Sequence, residues 1–150
     1  MKYFLDCEFN GYRGALISLA LVCEDGRELY MVERDFWKRR FAPDDIDPWV
    51  QRNVMPFLAV QTVQVETRTG MAAEIERFLD PAPVIVADWP DDIRYFCECL
   101  IVGPGEMIKT APRIFFNVER VDAYPTDLPG AVQHNALWDA RALRHKLLNS

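Results

Sequence analysis

Residues 2–33 read KYFLDCEFNGYRGALISLALVCEDGRELYMVE, and the fold turns on how this stretch divides. KYFLDCEF, residues 2–9, is aromatic-rich and lightly charged, which is strand composition. GALISLALVCEDGRELYMVE, residues 14–33, is two apolar runs separated by Glu24-Asp25-Gly26-Arg27. Asp-Gly between such runs is a hairpin signal. The three runs therefore make an antiparallel meander. The first carries an oddity. Strand alternation puts Asp6 and Glu8 on one face and Leu5, Cys7 and Phe9 on the other. A buried carboxylate costs several kcal/mol unless something compensates it. Two explanations stand: a solvent-facing edge, or a bound cation that needs both acids on one side.

Outward from the meander, the text from Asp35 to Leu58 turns helical and mixed. Asp47-Pro48 starts a helix, with Asp47 at the N-cap and Pro48 in the first turn; Pro56 breaks its end. A helix runs from Thr69 to Leu79 and ends before Pro81 and Pro83. PVIVADW, residues 83–89, is a short continuous apolar run, expected of a strand covered on both faces. A helix over 91–100, a strand RIFFNVE at 113–119, a Pro- and Gly-bearing loop at 122–131 and a helix over 135–148 complete the chain. The order β-β-β-α-α-β-α-β-α predicts an α/β fold: one domain over residues 1–150, with a central mixed five-stranded sheet flanked by helices and the later strands parallel to the first.

The chain of 150 residues is half hydrophobic and 27% charged, ordinary for a globular protein. No stretch approaches a membrane span, and MKYFLDCEF lacks the features of a signal peptide, so a cytoplasmic protein is expected. Cys7, Cys23, Cys97 and Cys99 form no CxxC, which predicts reduced, mostly buried thiols rather than a zinc site or a disulfide framework. The formal charge of −6 and pI of about 4.9 lack the basic footprint of a tight duplex binder. Acidity does not exclude nucleic acid, because acids can hold divalent cations that meet the phosphates.

Two further acidic groups stand out. In AVQHNALWDARALRHKL, Ala136, Ala140, Leu143 and Leu147 make a helical core stripe. Asp139 lies about 60° from Ala136 on the helical wheel and borders the buried face. His134 sits just before that helix. In VIVADWPDDIRYF, Asp88, Asp91 and Asp92 fall where the central strand gives way to a helix, the end of an open α/β sheet where ligands bind. Structural roles, capping and dipole pairing, would also account for these residues.

Together Asp6-Cys7-Glu8, Asp92 and His134-Asn135-Ala136-Leu137-Trp138-Asp139-Ala140 resemble the three motifs of the DEDDh 3′–5′ exonucleases, the DnaQ-like group with a ribonuclease H-like fold. DPWVQRNVMPFL, residues 47–58, looks most like the small stand-alone exoribonucleases of the ribonuclease AS type. The sequence departs from the family pattern at Phe9-Asn10-Gly11 and in the string Ala87-Asp88-Trp89-Pro90-Asp91-Asp92. Asp92 is favoured for the second motif because Ile93 and Phe96 follow it as an apolar helix face, with Asp88 and Asp91 as alternatives.

The resemblance implies hydrolysis of single-stranded nucleic acid from its 3′ end, RNA ahead of DNA, releasing nucleoside 5′-monophosphates. It implies two divalent cations, Mg²⁺ or Mn²⁺, held by Asp6, Glu8, Asp92 and Asp139, with His134 as general base on the attacking water. A homodimer is a further implication. Phe9, Tyr12, Trp89 and Trp138 are aromatic candidates for stacking on bases, Phe9 and Trp138 foremost; Arg13, Arg94 and Arg141 are candidate phosphate partners. His145, at the far end of the last helix, reads as solvated or dipole-pairing. Two competing readings are a non-catalytic nucleic-acid-binding domain on the same fold and a hydrolase of dinucleotides or other small phosphodiesters.

Overall fold

A computed structural model describes residues 1–149. The first strand, β1 (Lys2–Phe9), pairs antiparallel with β2 (Leu16–Cys23), which pairs antiparallel with β3 (Glu28–Glu33). The Asp25-Gly26 turn closes the hairpin as predicted: Cys23 N–H donates to the Arg27 carbonyl at 2.8 Å, and Gly26 takes a φ of 98° that an L side chain rarely adopts. β2 is buried at every position, which is why its sequence, LISLALVC, shows no polar alternation.

After β3 come a short helix α1 (Arg34–Trp37), a 3₁₀ turn at Pro43–Asp45, and α2 (Pro48–Asn53). Asp47 caps α2 as the sequence predicts, accepting from the N–H groups of Trp49 and Val50 at 2.9 and 3.2 Å. Pro56 falls in a second 3₁₀ turn, Met55–Phe57. Next are β4 (Gln64–Glu66), α3 (Arg68–Phe78), β5 (Val84–Ala87), α4 (Pro90–Leu100), a small hairpin of β6 (Ile101–Gly103) and β7 (Glu106–Met107), then β8 (Phe115–Val118) and α5 (Ala136–Leu148).

The main sheet runs β4-β3-β2-β1-β5-β8, with β4 parallel to β3 and β1, β5 and β8 mutually parallel. It has six strands where five were expected. The added strand is β4, three half-buried residues at an edge. Gln64-Val65-Glu66 is too short and too polar to show an apolar period, so only its pairing with β3 defines it.

Helices α3 and α4 cover one face of the sheet with Tyr3, Leu5, Cys7, Leu19, Ile85, Tyr95 and Phe96 in the core. On the other face, Val50 of α2 packs with Ile17, Ala20 and Tyr30, and Ala142 and Leu143 of α5 pack with Phe4 and Val86. Strand alternation therefore sends Asp6 and Glu8 toward α5 and Phe9 toward the α4 side. The carboxyl ends of β1, β5 and β8 and the N-termini of α4 and α5 meet at one edge. Cys7, Cys23 and Cys99 are buried, and all four cysteines are free. No helix among the described residues is long and apolar enough to cross a membrane.

The loop from β1 to β2 is packed tightly on itself. A Cβ at Gly14 would stand 1.8 Å from the Asn10 carbonyl oxygen, a backbone atom that cannot swing aside. Gly14→Ala is expected to cost about 2 kcal/mol, lowering the melting temperature by roughly 5 °C; thermal denaturation followed by circular dichroism measures it.

Candidate active site

At the carboxyl edge lies a cleft of about 560 Å³ lined by Asp6, Glu8, Phe9, Trp49, Asp88, Asp92, Tyr124, His134 and Asp139, among others. The acids arrive from several elements. Asp6 and Glu8 come from β1 and Asp88 from the residue after β5. Asp92 comes from the first turn of α4, and Asp139 from the first turn of α5.

The acids fall into two groups. Carboxylate oxygens of Asp6, Asp88 and Asp92 lie within 4.8 Å of one another, and so do ligand atoms of Glu8, His134 and Asp139. Asp92 is almost fully buried, at 3% exposure. Of the alternatives at the second motif, Asp91 has both oxygens engaged, by Trp89 Nε1 at 3.3 Å and Arg94 Nε at 3.4 Å. Asp88 and Asp92 both face Asp6. Asp6 Oδ2 and Asp139 Oδ1 are buried with no hydrogen-bond partner. An orphaned buried carboxylate oxygen is costly, and an oxygen-rich set of this kind fits a hard divalent cation.

The electrostatics agree. Burial pushes Asp6 well above the usual carboxylate range, with Asp92, Asp139 and Glu8 adding repulsion. Burial, then Asp139, does the same to Glu8; burial, then Asp88, to Asp92. Asp139 is pushed up to about 7, chiefly by burial.

His134 is held from three sides. Its backbone is left-handed, with φ 67°, and its N–H donates to Asp139 Oδ2 at 3.1 Å. The edge of its ring meets Trp49, centroid to centroid 4.8 Å. Burial lowers its pKa, which favours the neutral imidazole. The next residue, Asn135, caps α5 through Trp138 N–H and is 1% exposed, unusual for a cap. Its amide donates to the Tyr30 hydroxyl at 3.1 Å and the Phe57 carbonyl at 2.9 Å, and Tyr30 in turn donates to the Leu58 carbonyl at 2.8 Å. The histidine-bearing turn is thus anchored to β3 and to the chain after α2.

The other sequence candidates divide: Phe9, Tyr12 and Trp89 line the cleft, and the rest do not. Phe9 lines the cleft while stacking on Tyr95 at 4.6 Å. Trp138 does not line it; its ring lies under the Arg141 guanidinium at 4.4 Å. Arg141 is paired with Glu28, Arg94 with Asp91 and Glu98, and His145 with Asp127. Among the described residues, no lysine or arginine lines the cleft. Trp49 and Tyr124 were not singled out in the sequence. Trp49 follows a recognisable helix start, whereas Tyr124 stands in an irregular loop with no periodicity to mark it.

The chain is 29% identical to two Mycobacterium tuberculosis proteins, one from strain H37Rv and one from strain CDC 1551, each named as a 3′–5′ exoribonuclease. Each alignment of 157 positions covers 94% of this chain and 88% of the relative. No protein-family model matches the chain.

The raised carboxyl pKa values have a consequence for stability. Each of these acids holds its proton more firmly folded than unfolded, so without a cation the stability they contribute is fully present below the unfolded value near pH 4 and is lost as pH rises through the folded values, about 7 for Asp139. In chelator, the melting temperature is expected to fall between pH 5 and pH 8, and Asp139→Asn to raise it at pH 8 by roughly 5 °C. Parallel pH profiles for the two proteins would contradict this account.

Proposed function

We propose that this chain is a metal-dependent 3′–5′ exoribonuclease of the DEDDh kind, on a ribonuclease H-like fold, that hydrolyses single-stranded RNA from the 3′ end and releases nucleoside 5′-monophosphates. The observation that carries the reading is the pair of adjoining carboxylate groups with orphaned oxygens, one of them beside His134, in a chain similar to proteins bearing that name. The order of Asp6-Cys7-Glu8, Asp92 and His134 to Asp139 along the chain supports the assignment to that kind.

Asp6 and Asp92, with Asp88 in reach, would hold one divalent cation, and Glu8 and Asp139 another; Mg²⁺ or Mn²⁺ suits this oxygen-rich set. When bound, such ions supply charge neutralisation at the attacking and leaving oxygens of the phosphodiester. The protein's own part is proton handling and placement. His134 takes a proton from the attacking water as the new oxygen–phosphorus bond forms. The phosphorus–O3′ bond breaks, and the 3′ oxygen acquires a proton from solvent. Its left-handed turn and the Asn135 anchor keep the imidazole over the cleft, and its neutral state is the one a base requires. Trp49 and Trp89, both exposed at the cleft, offer faces for stacking on terminal bases. A lining without lysine or arginine suits a short footprint at a 3′ terminus rather than long tracking along a strand. A cytoplasmic location and self-association belong to the same proposal.

The test is a 5′-labelled single-stranded RNA with a free 3′ end, incubated in Mg²⁺ or Mn²⁺. A ladder shortening from the 3′ end is expected, abolished by EDTA, by a blocked 3′ terminus and by Asp6→Ala. No ladder with either metal from a folded protein overturns the reading, and cleavage of dinucleotides alone points to small phosphodiesters instead. His134→Ala is expected to lower kcat by about 10²–10⁴. The wild-type rate is expected to rise with pH along a limb whose midpoint lies below the ordinary imidazole value, since burial lowers the His134 pKa.

A further inference from the structure

The loop between β8 and α5 brings one hydroxyl into the carboxylate cleft. Tyr124 lines that cleft, and its hydroxyl oxygen is fully enclosed without a hydrogen-bond partner. Asp139 Oδ1 is likewise enclosed and unpartnered. Two buried, complementary and unsatisfied atoms on facing groups call for a physical reason.

Packing explains why they face one another. The Tyr124 ring packs against the cluster that contains Ala142 and Leu143 of α5. Those residues lie three and four positions after Asp139, so all three share one helix face. The ring of Tyr124 thus rests on the face of α5 that carries Asp139, and both residues line the same cleft. The middle of the same loop is fastened to α5 as well, by Asp127 against His145 Nε2 at 2.6 Å. Burial raises the Tyr124 phenol pKa, and the Tyr124 hydroxyl, the largest influence on the Asp139 carboxyl after burial, draws that carboxyl back toward ionisation.

We infer that Tyr124 is a positioning residue for Asp139: its hydroxyl donates to Oδ1 of the ionised carboxylate while the His134 N–H holds Oδ2. The two donors fix the plane of the carboxylate from opposite oxygens. The inference rests on the cation-binding role proposed for Asp139. A ligating carboxylate held by an outer donor binds its metal more tightly, typically 10–100-fold. Because Asp139 also receives the backbone N–H of His134, a carboxylate free to turn would loosen the histidine's setting too.

Tyr124→Phe removes the hydroxyl and keeps the ring. The experiment is calorimetric titration of the metal-free protein with Mn²⁺, for wild type, Tyr124→Phe and Tyr124→Ala, with melting curves in EDTA and kcat and KM on a short RNA. The expected result is a Mn²⁺ dissociation constant raised about 10-fold in Tyr124→Phe, with an EDTA melting temperature at or above wild type and kcat lowered while KM for RNA stays within about twofold. Wild-type affinity in Tyr124→Phe overturns the inference and leaves the proposed function standing. So does a loss seen only in Tyr124→Ala, which would assign the effect to ring packing. Failure of the wild-type protein to bind Mn²⁺ removes the proposed function and this inference together.

Discussion

Like charges a few ångströms apart in a partly dry cleft repel, and this protein gathers five carboxylates there and holds them. The force that holds them is remote from the charges. β1 sits in the interior of the sheet, paired with β2 on one side and β5 on the other, and it cannot turn Asp6 and Glu8 outward without moving Leu5 and Cys7 out of the core. The hydrophobic register of one strand thus fixes two acids against their own repulsion. The rest of the cleft follows from where neighbouring elements end.

The cost of that arrangement explains its surroundings. Asp92 and Asp139 stand in the first turns of α4 and α5, where helix dipoles favour negative charge, so the fold contributes partial neutralisation before any ion is involved. The left-handed backbone of His134 and the buried bonds of Asn135 are a second investment of the same sort. A cap that needed only to satisfy a helix end could remain in water; this one spends its amide on Tyr30 and the Phe57 carbonyl and ties the histidine's turn to an element more than a hundred residues away. Polar groups buried with their partners in place lend rigidity, which a base that must meet a water at the right distance requires.

Much of this was legible in the sequence because it depends on local rules. The Asp25-Gly26 turn, the Asp47 cap, the shared face of Asp6 and Glu8, and the border position of Asp139 follow from turn chemistry and from the periods of strand and helix, and the structure has each of them. β4 was not legible: three half-polar residues become a strand only because β3 offers an edge. Trp138 stands near the third motif in sequence but on the flank of α5 away from the cleft, and Arg94 and Arg141 are spent on neighbouring acids.

The sequence by itself determined the order of the principal elements, though not β4 or the β6–β7 hairpin, together with the parallel return of the later strands and which face of β1 bears the acids, since these rest on alternation and on short-range turns. Only the tertiary structure decided which acids meet. Asp88, Asp91 and Asp92 are nearly equivalent along the chain, yet Trp89 and Arg94 engage Asp91 while Asp88 and Asp92 face Asp6. Tyr124 enters the cleft from an irregular loop because its ring packs on α5. Sequence periodicity describes one element at a time, whereas a site built from β1, α4, α5 and a loop depends on how those elements pack, and packing is settled by contacts between residues far apart in the chain.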